Sequence, residues 1–182
     1  MRTDQARQTA QQLLALQLPR RWRHVQAVAA KAEAIKFVAA EDAELLVSSA
    51  WLHDIGYSPA LVDTGFHSLD GARWLLRRGC SFRLAALVAN HSCASYEAAE
   101  RGLYDDLVSA FPLEQSAASD ALWYADMTTG PDGQNLTVEE RLAEIRQRYG
   151  PDDVVTRFWL RAEPVLLEVV RRTQARIAAQ PM

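Results

Sequence analysis

Apolar residues recur along this chain at intervals of three and four positions, and no long stretch alternates apolar with polar residues. Val25, Val28, Ala32 and Ile35, for example, fall on one side of a helix drawn through residues 20–40. This spacing is typical of amphipathic α-helices, because a helix turns once every ~3.6 residues. Alanine, leucine, glutamate, glutamine and arginine are abundant and also favour helix. The pattern therefore predicts an all-α fold.

Capping residues and chain breakers divide this pattern into separate helices. Thr137, with Glu140 three positions later, forms a capping-box sequence, and the glycine-rich stretch 128–135 before it predicts a loop. Pro164 predicts a kink or a break in the last helix. The predicted helices cover residues 4–18, 20–40, 42–53, 68–78, 81–90, 103–110, 114–127, 137–149 and 152–179.

The length of 182 residues fits a single domain. No internal repeat, low-complexity stretch or interdomain linker divides the sequence. We expect an N-terminal helix in residues 1–19 that packs on a central domain of residues 20–150. Residues 151–182 are expected to form a C-terminal helix of the same domain.

Charge and composition exclude several classes of partner. The chain has 20 basic and 23 acidic residues, so no overall positive field favours nucleic acid. Its longest apolar run is the six residues 84–89, too short to span a membrane. The polar stretch 1–12 does not resemble a secretory signal, and Cys80 and Cys93 form no CxxC motif. We therefore expect a cytoplasmic protein that binds neither nucleic acid nor membrane; its oligomeric state stays open.

Five polar residues point the same way as the apolar stripes of their helices. Each lies three, four or seven positions from apolar residues of its own helix, which predicts an inward orientation. Carboxylates are rarely buried unless they are paired or bound to a metal. Helices that direct imidazoles and carboxylates into a common core build metal sites in α-proteins, and this donor set suits iron, manganese, zinc or cobalt. The five residues are His24, His53, Asp54, His91 and Asp126.

The order of these residues resembles the HD-domain superfamily of metal-dependent phosphohydrolases, over about residues 20–150. The family pattern is a histidine, a His-Asp dyad, often two further histidines, and a distal aspartate. All four histidines of the chain fall on this pattern in order. The matching stretches are RHVQAVA with His24, AWLHDIGY with His53 and Asp54, GFHSLDGARWL with His67, VANHSC with His91, and LWYADMTTGPDG with Asp126.

The resemblance implies a compact helical HD-domain bundle with a metal site in its core. One metal would be bound by His24, His53, Asp54 and Asp126. In members that keep the two additional histidines, here His67 and His91, these bind a second metal, and the dyad aspartate bridges the two ions. The competing account is a single metal, with both additional histidines neutral and bonded to substrate or water.

The expected cofactor is therefore one or two divalent metal ions. Iron or manganese is favoured, while zinc, cobalt, nickel or magnesium would also fit. Besides binding metal, Asp54, His67 and His91 are expected to take part in catalysis.

The resemblance also implies a function, hydrolysis of a small phosphate ester or nucleotide by a metal-activated water. Some family features that define substrate classes are missing. The position three after the dyad aspartate is Tyr57, where one nucleotidase branch has an acidic residue and the cyclic-dinucleotide phosphodiesterase branch a lysine. The Gly-Tyr-Pro motif of the latter branch is absent too. Two alternatives stay open: a di-iron oxygenase of a small polar substrate, and a non-catalytic HD module that binds a metal or ligand.

Residues near these motifs suggest how a substrate would be held. Arg20 and Arg21 precede His24 by four and three positions and could hold a phosphate oxygen through their guanidinium groups. Lys31 lies seven positions after His24, although a solvated lysine is the simpler interpretation. The predicted helices after residue 137 contain no histidine, so we expect them to support the core rather than the site.

Overall fold

The computed structural model describes residues 1–179. Helix accounts for 74% of the structure, and no strand occurs within these residues. Their paired extended backbone is limited to an isolated bridge between Thr129 and Asn135. The prediction of an all-α fold is therefore confirmed.

Helices of seven to 25 residues follow one another through the described part of the chain. Short 3₁₀ helices occur at Lys36–Asp42, Ile55–Tyr57 and His91–Cys93. In chain order the α-helices are α1 (Thr3–Leu14), α2 (Pro19–Ile35), α3 (Ala43–Leu52), α4 (His67–Arg77), α5 (Phe82–Ala89), α6 (Ala94–Glu100), α7 (Tyr104–Ala110), α8 (Ala117–Met127), α9 (Val138–Tyr149) and α10 (Val154–Ala178).

Helix α3 lies at the centre of the fold, in contact with α1, α2, α5 and α8. Its Leu45 and Trp51 pack against both apolar clusters of the core. One cluster joins α2, α3, α8, α9 and α10, and the other joins α1, α4, α5 and α7. The chain leaving α3 is therefore enclosed, and His53 and Asp54 are only 0% and 2% exposed.

The terminal helices pack on this central group. Helix α1 contacts α2 and α3, while α10 contacts α6, α8 and α9. Because α10 closes over α8 and α9, its first turns reach the region where α3, α5 and α8 end.

Local sequence signals fix several helix starts as predicted. The Ser81 hydroxyl accepts a hydrogen bond from the Leu84 amide at 3.4 Å and caps α5. The Thr137 hydroxyl accepts from the Glu140 amide at 3.2 Å, and the Glu140 carboxylate accepts from the Thr137 amide at 2.8 Å. Both caps could be predicted from the sequence, because each depends on residues only three positions apart.

Other boundaries differ from the predictions. Helix α1 ends at Leu14 rather than residue 18, because the following residues turn the chain into α2, which begins at Pro19. Residues 36–42 form a 3₁₀ helix in which Ala40 has φ of 48°, so the second helix is shorter than predicted. Helix α6 was not predicted at all.

A kink or a break was predicted at Pro164; the break does not occur, because α10 continues through this residue as one helix. Proline removes the hydrogen bond to the carbonyl four residues earlier, which belongs to Leu160. Leu160 is 61% exposed, so this side of α10 faces solvent. Within residues 1–179 no helix, α10 included, combines the length and the apolar character needed to cross a membrane.

Candidate metal centre

The candidate ligands meet where helices begin or end. His53 and Asp54 directly follow α3, His67 is the first residue of α4, and His91 comes two residues after α5 ends. Asp126 lies in the last turn of α8. His24, the sixth residue of α2, faces them from inside that helix. At helix ends the backbone is free to turn, so adjacent residues such as His53 and Asp54 can face one centre.

The first of two ligand groups, the inner trio, consists of His24, His53 and Asp126. One ligand atom from each lies within 4.8 Å of the others, and all three residues are buried. His24 Nε2 is 2.9 Å from Asp126 Oδ1, and His53 Nε2 is 3.8 Å from the same oxygen. The inner trio therefore offers two imidazoles and one carboxylate to a single point.

The second group, the outer trio, consists of Asp54, His67 and His91. Its ligand atoms also lie within 4.8 Å of one another. Asp54 Oδ1 is 3.5 Å from His67 Nε2 and 3.8 Å from His91 Nε2. The two imidazole Nε2 atoms are 3.2 Å apart.

Asp54 connects the two trios. Its Oδ1 belongs to the outer trio, while its Oδ2 is 3.3 Å from His53 Nε2 and 3.8 Å from His24 Nε2. A carboxylate that presents one oxygen to each group can serve two adjacent cations.

Backbone carbonyls fix the tautomers of three imidazoles. The Nδ1 of His24 donates to Gly130 O at 3.0 Å, that of His53 to Ala50 O at 2.8 Å, and that of His91 to Val88 O at 2.6 Å. A carbonyl can only accept, so the proton is on Nδ1. In the neutral rings the Nε2 lone pair is then free to bind a metal, as in most protein metal sites.

Unsatisfied atoms at the centre fit a divalent cation. His53 Nε2 is buried and has no hydrogen-bond partner. The Nε2 atoms of His67 and His91 face each other, and burial lowers the pKa of both rings, which keeps them neutral. A buried ring nitrogen without a partner, such as His53 Nε2, is costly unless a cation satisfies it. Four imidazoles and two carboxylates are donors that suit iron, manganese, zinc or cobalt.

The carboxylates create a negative potential at this point. Burial alone would lower the pKa of His53, but Asp54 and Asp126 raise it to about 9. Burial alone would raise the pKa of Asp54, yet Arg21 and His53 hold it well below its usual range. Both effects favour positive charge beside the carboxylates, as a bound cation would provide.

A strained turn holds Asp126 in place. Ser92 and Cys93 both have positive φ, 48° and 62°, directly after His91. This turn brings the Ser92 hydroxyl to Asp126 Oδ2, to which it donates a hydrogen bond. Consecutive non-glycine residues in this conformation are unfavourable, and they persist where the surrounding structure requires them.

Replacing Ser92 with alanine is expected to weaken metal binding about tenfold, because the hydrogen bond that orients Asp126 is lost. Titration of the metal against a competing chelator measures this affinity. Ser109→Ala is the control, since Ser109 is exposed and bonds the backbone of Asp105 on α7. Equal metal affinities for the two variants would contradict the role of Ser92.

A cavity of about 270 Å³ lies beside the outer trio. His24 and His53 lie behind its wall rather than on it. An apolar side is formed by α9 and the first turns of α10, with Ile145, Phe158 and Trp159. The polar and charged side chains that line the cavity are Arg21, Asp54, Tyr57, His67, Ser68, His91, Ser92, Glu97, Arg101, Asp126, Arg141, Arg148, Tyr149 and Asp153.

The two arginines that precede His24 lie in different places. Arg21 lines the cavity, where its Nη1 donates to Asp54 Oδ2 at 2.7 Å and its guanidinium lies 4.1 Å from the ring centre of Tyr57. Arg20 is exposed, pairs with Asp132 at 3.0 Å and does not line the cavity. Of the predicted substrate-binding residues, Arg21 alone is therefore positioned to reach a ligand in this cavity.

Lys31 and the threonines after Asp126 serve the local structure. The Lys31 ammonium donates to the carbonyl and, at 2.8 Å, to the hydroxyl of Thr128, and burial lowers its pKa to about 8. The hydroxyls of Thr128 and Thr129 donate to the carbonyls four residues earlier, at the end of α8. None of the three lines the cavity.

The contribution of α9 to the cavity was not predicted from the sequence. Helix α9 was expected only to support the core, but Arg141, Arg148 and Tyr149 line the cavity. Their spacing of seven and eight positions places them on one helix face, but a solvated face has the same spacing, so the sequence did not distinguish a cavity wall from a surface.

No protein-family model, curated protein or solved structure matches the chain. A functional conclusion therefore has to rest on the geometry of the described residues alone.

Proposed function

We propose that this protein is a metal-dependent phosphohydrolase with an HD-type centre, acting on a small phosphate ester or nucleotide. The proposal rests on one observation, the position of Asp54 between two buried ligand trios beside a cavity. All six ligands come from the positions that resemble the HD pattern.

The ligands divide between two ions in this proposal. His24, His53 and Asp126 would hold one, His67 and His91 would hold the other, and Asp54 would contribute to both. The ligand atoms of Asp54, His67 and His91 lie within 4.8 Å of one another, which favours a second ion over a mononuclear centre, because one cation could be bound by all three. Iron or manganese is the preferred metal.

A metal bound here would supply a water of pKa about 7 and polarise a phosphoryl oxygen. Side chains of the protein would balance the charge of the metal and bind the phosphate group. His67 and His91 at the cavity wall are neutral, so the positive charge of a bound metal would be offset by the carboxylates of Asp54 and Asp126. Arg21, whose guanidinium lies 4.1 Å from the ring centre of Tyr57, can donate to a phosphoryl oxygen from the side of Asp54.

The dimensions of the cavity support a small substrate. Its volume of about 270 Å³ is close to the lower end of small-molecule sites, which start at about 300 Å³. An apolar wall of Ile145, Phe158 and Trp159 can pack against the carbon skeleton.

A substrate panel with defined metals tests the function. Metal-depleted protein is reconstituted with manganese or with iron, and then incubated with phosphomonoesters, phosphodiesters and nucleotides. We expect phosphate release that depends on the metal. Iron with a mixed-valent EPR signal and oxygen consumption, but no phosphate release, would indicate the di-iron oxygenase. Tight metal binding with neither activity would indicate a non-catalytic module.

A further inference from the structure

One face of α9 carries positive charge into the cavity. Arg141, Ile145, Arg148 and Tyr149 all line it, and their spacing of four, three and one positions places them on the same side of the helix. They are far along the chain from every candidate metal ligand.

Arg141 is buried with unused hydrogen-bonding capacity. It is 5% exposed, and its Nη1 donates to the Glu144 carboxylate. Its Nε is buried and has no partner. A buried guanidinium is rarely left partly unpaired, and Arg141 lines the cavity, so an anion bound there would meet a guanidinium whose donors are only partly used.

Glu144 cannot neutralise this face alone. Besides Arg141, it pairs with Arg148, whose Nε is 3.2 Å from Glu144 Oε1. One carboxylate therefore serves two guanidinium groups, and one positive charge remains in excess.

Metal binding would give the cavity lining a net positive charge. Four arginines and four carboxylates line the cavity, so their charges balance when the histidines are neutral. Divalent cations on Asp54 and Asp126 would shift this balance toward positive charge. The lining carboxylates are Asp54, Glu97, Asp126 and Asp153, and the arginines are Arg21, Arg101, Arg141 and Arg148.

We propose that Arg141 and Arg148 form a second anion site, which binds a second phosphate group of the substrate. The substrate is then a small bisphosphorylated molecule, with one phosphate at the metal centre and the other at α9. This inference rests on the proposed function for the first phosphate, and the second site needs only the α9 arginines. Guanidinium groups suit a phosphate because their planar N–H donors match its oxygens.

Binding of two phosphonates to the metal-loaded protein tests the proposal without turnover. Propane-1,3-bisphosphonate carries two anionic groups, and propylphosphonate carries one. Calorimetry is expected to show tighter binding of the bisphosphonate to the unaltered protein. Arg141→Gln and Arg148→Gln should each weaken bisphosphonate binding about tenfold or more and leave propylphosphonate binding unchanged, because each removes a charged hydrogen bond to one group.

Arg146→Gln is the matched control, since Arg146 also lies on α9 but pairs with Glu163 and does not line the cavity. Metal content and circular dichroism establish that each variant is folded and loaded. If Arg141→Gln does not fold, the partly exposed Arg148 gives the same comparison alone.

Equal binding of the two phosphonates to the unaltered protein would overturn the second site, as would an equal loss of both in the variants. A preserved preference for the bisphosphonate, with no hydrolysis of any phosphate ester, would overturn only the proposed function.

Discussion

Replacing Asp54 with asparagine is expected to remove both metals and to lower phosphate release by about 10³-fold or more, since the activated water depends on the metal. Asp54 lies within 3.3–3.8 Å of all four imidazole Nε2 atoms, so no other ligand contacts both trios so closely. A neutral amide keeps the shape of the side chain but loses its charge. Elemental analysis of dialysed protein measures the metal content.

Two variants make this result specific. His67→Ala should reduce metal content only partly, because it affects the outer trio alone. Asp132→Asn should change nothing at the centre, although Asp132 also pairs with arginines, Arg20 and Arg23, at the surface. If Asp54→Asn kept its full metal content and activity, Asp54 would not bridge two ions.

Local sequence rules were sufficient for most of the helical framework. The capping box at Thr137 and the Ser81 cap depend on bonds within one turn, and both form as predicted. Helix α10 shows where such rules fail. Pro164 leaves the Leu160 carbonyl without its usual N–H partner, yet the helix continues, because the packing of α10 on α6, α8 and α9 also holds it.

The convergence of the candidate ligands could also be anticipated. His53 and His91 continue apolar stripes, and a stripe is inward over its whole length. The position of Asp54 between two groups was implied by the family resemblance alone, because it depends on the turn after α3, which helix periodicity does not describe. The sequence could not distinguish Arg20 from Arg21, adjacent residues whose orientation is decided by Asp132 and Asp54 from distant parts of the chain.

The contribution of α9 was hidden for a different reason. Arg141 and Arg148 have the spacing of an ordinary solvated face, and arginine is usually exposed. Only the packing of α9 and α10 beside the outer trio turns that face into a cavity wall. Burial, rather than residue type, distinguishes Arg141 from a surface arginine.

Replacing Gly56 with alanine is expected to destabilise the protein by about 3 kcal/mol and to disturb the outer trio, as overpacking does in a close-packed core. A Cβ at this position would overlap the His67 carbonyl oxygen and lie 2.8 Å from the Gly71 amide nitrogen. Both are backbone atoms that cannot rotate away. The start of α4 would have to move, and His67 would move with it away from Asp54.

Gly71→Ala provides the comparison from the other side of the same contact. Its Cβ would lie 3.1 Å from the Gly56 amide nitrogen, a tight but tolerable distance. Alanine also favours helix over glycine by about 1 kcal/mol, which offsets part of the strain within α4. Urea denaturation of the metal-free proteins should therefore show a large loss in the free energy of unfolding for Gly56→Ala and little change for Gly71→Ala.

Metal binding should weaken mainly in Gly56→Ala. Similar stability and metal affinity in both variants would mean that α4 does not pack against Gly56 this closely, and the position of His67 would then need another support.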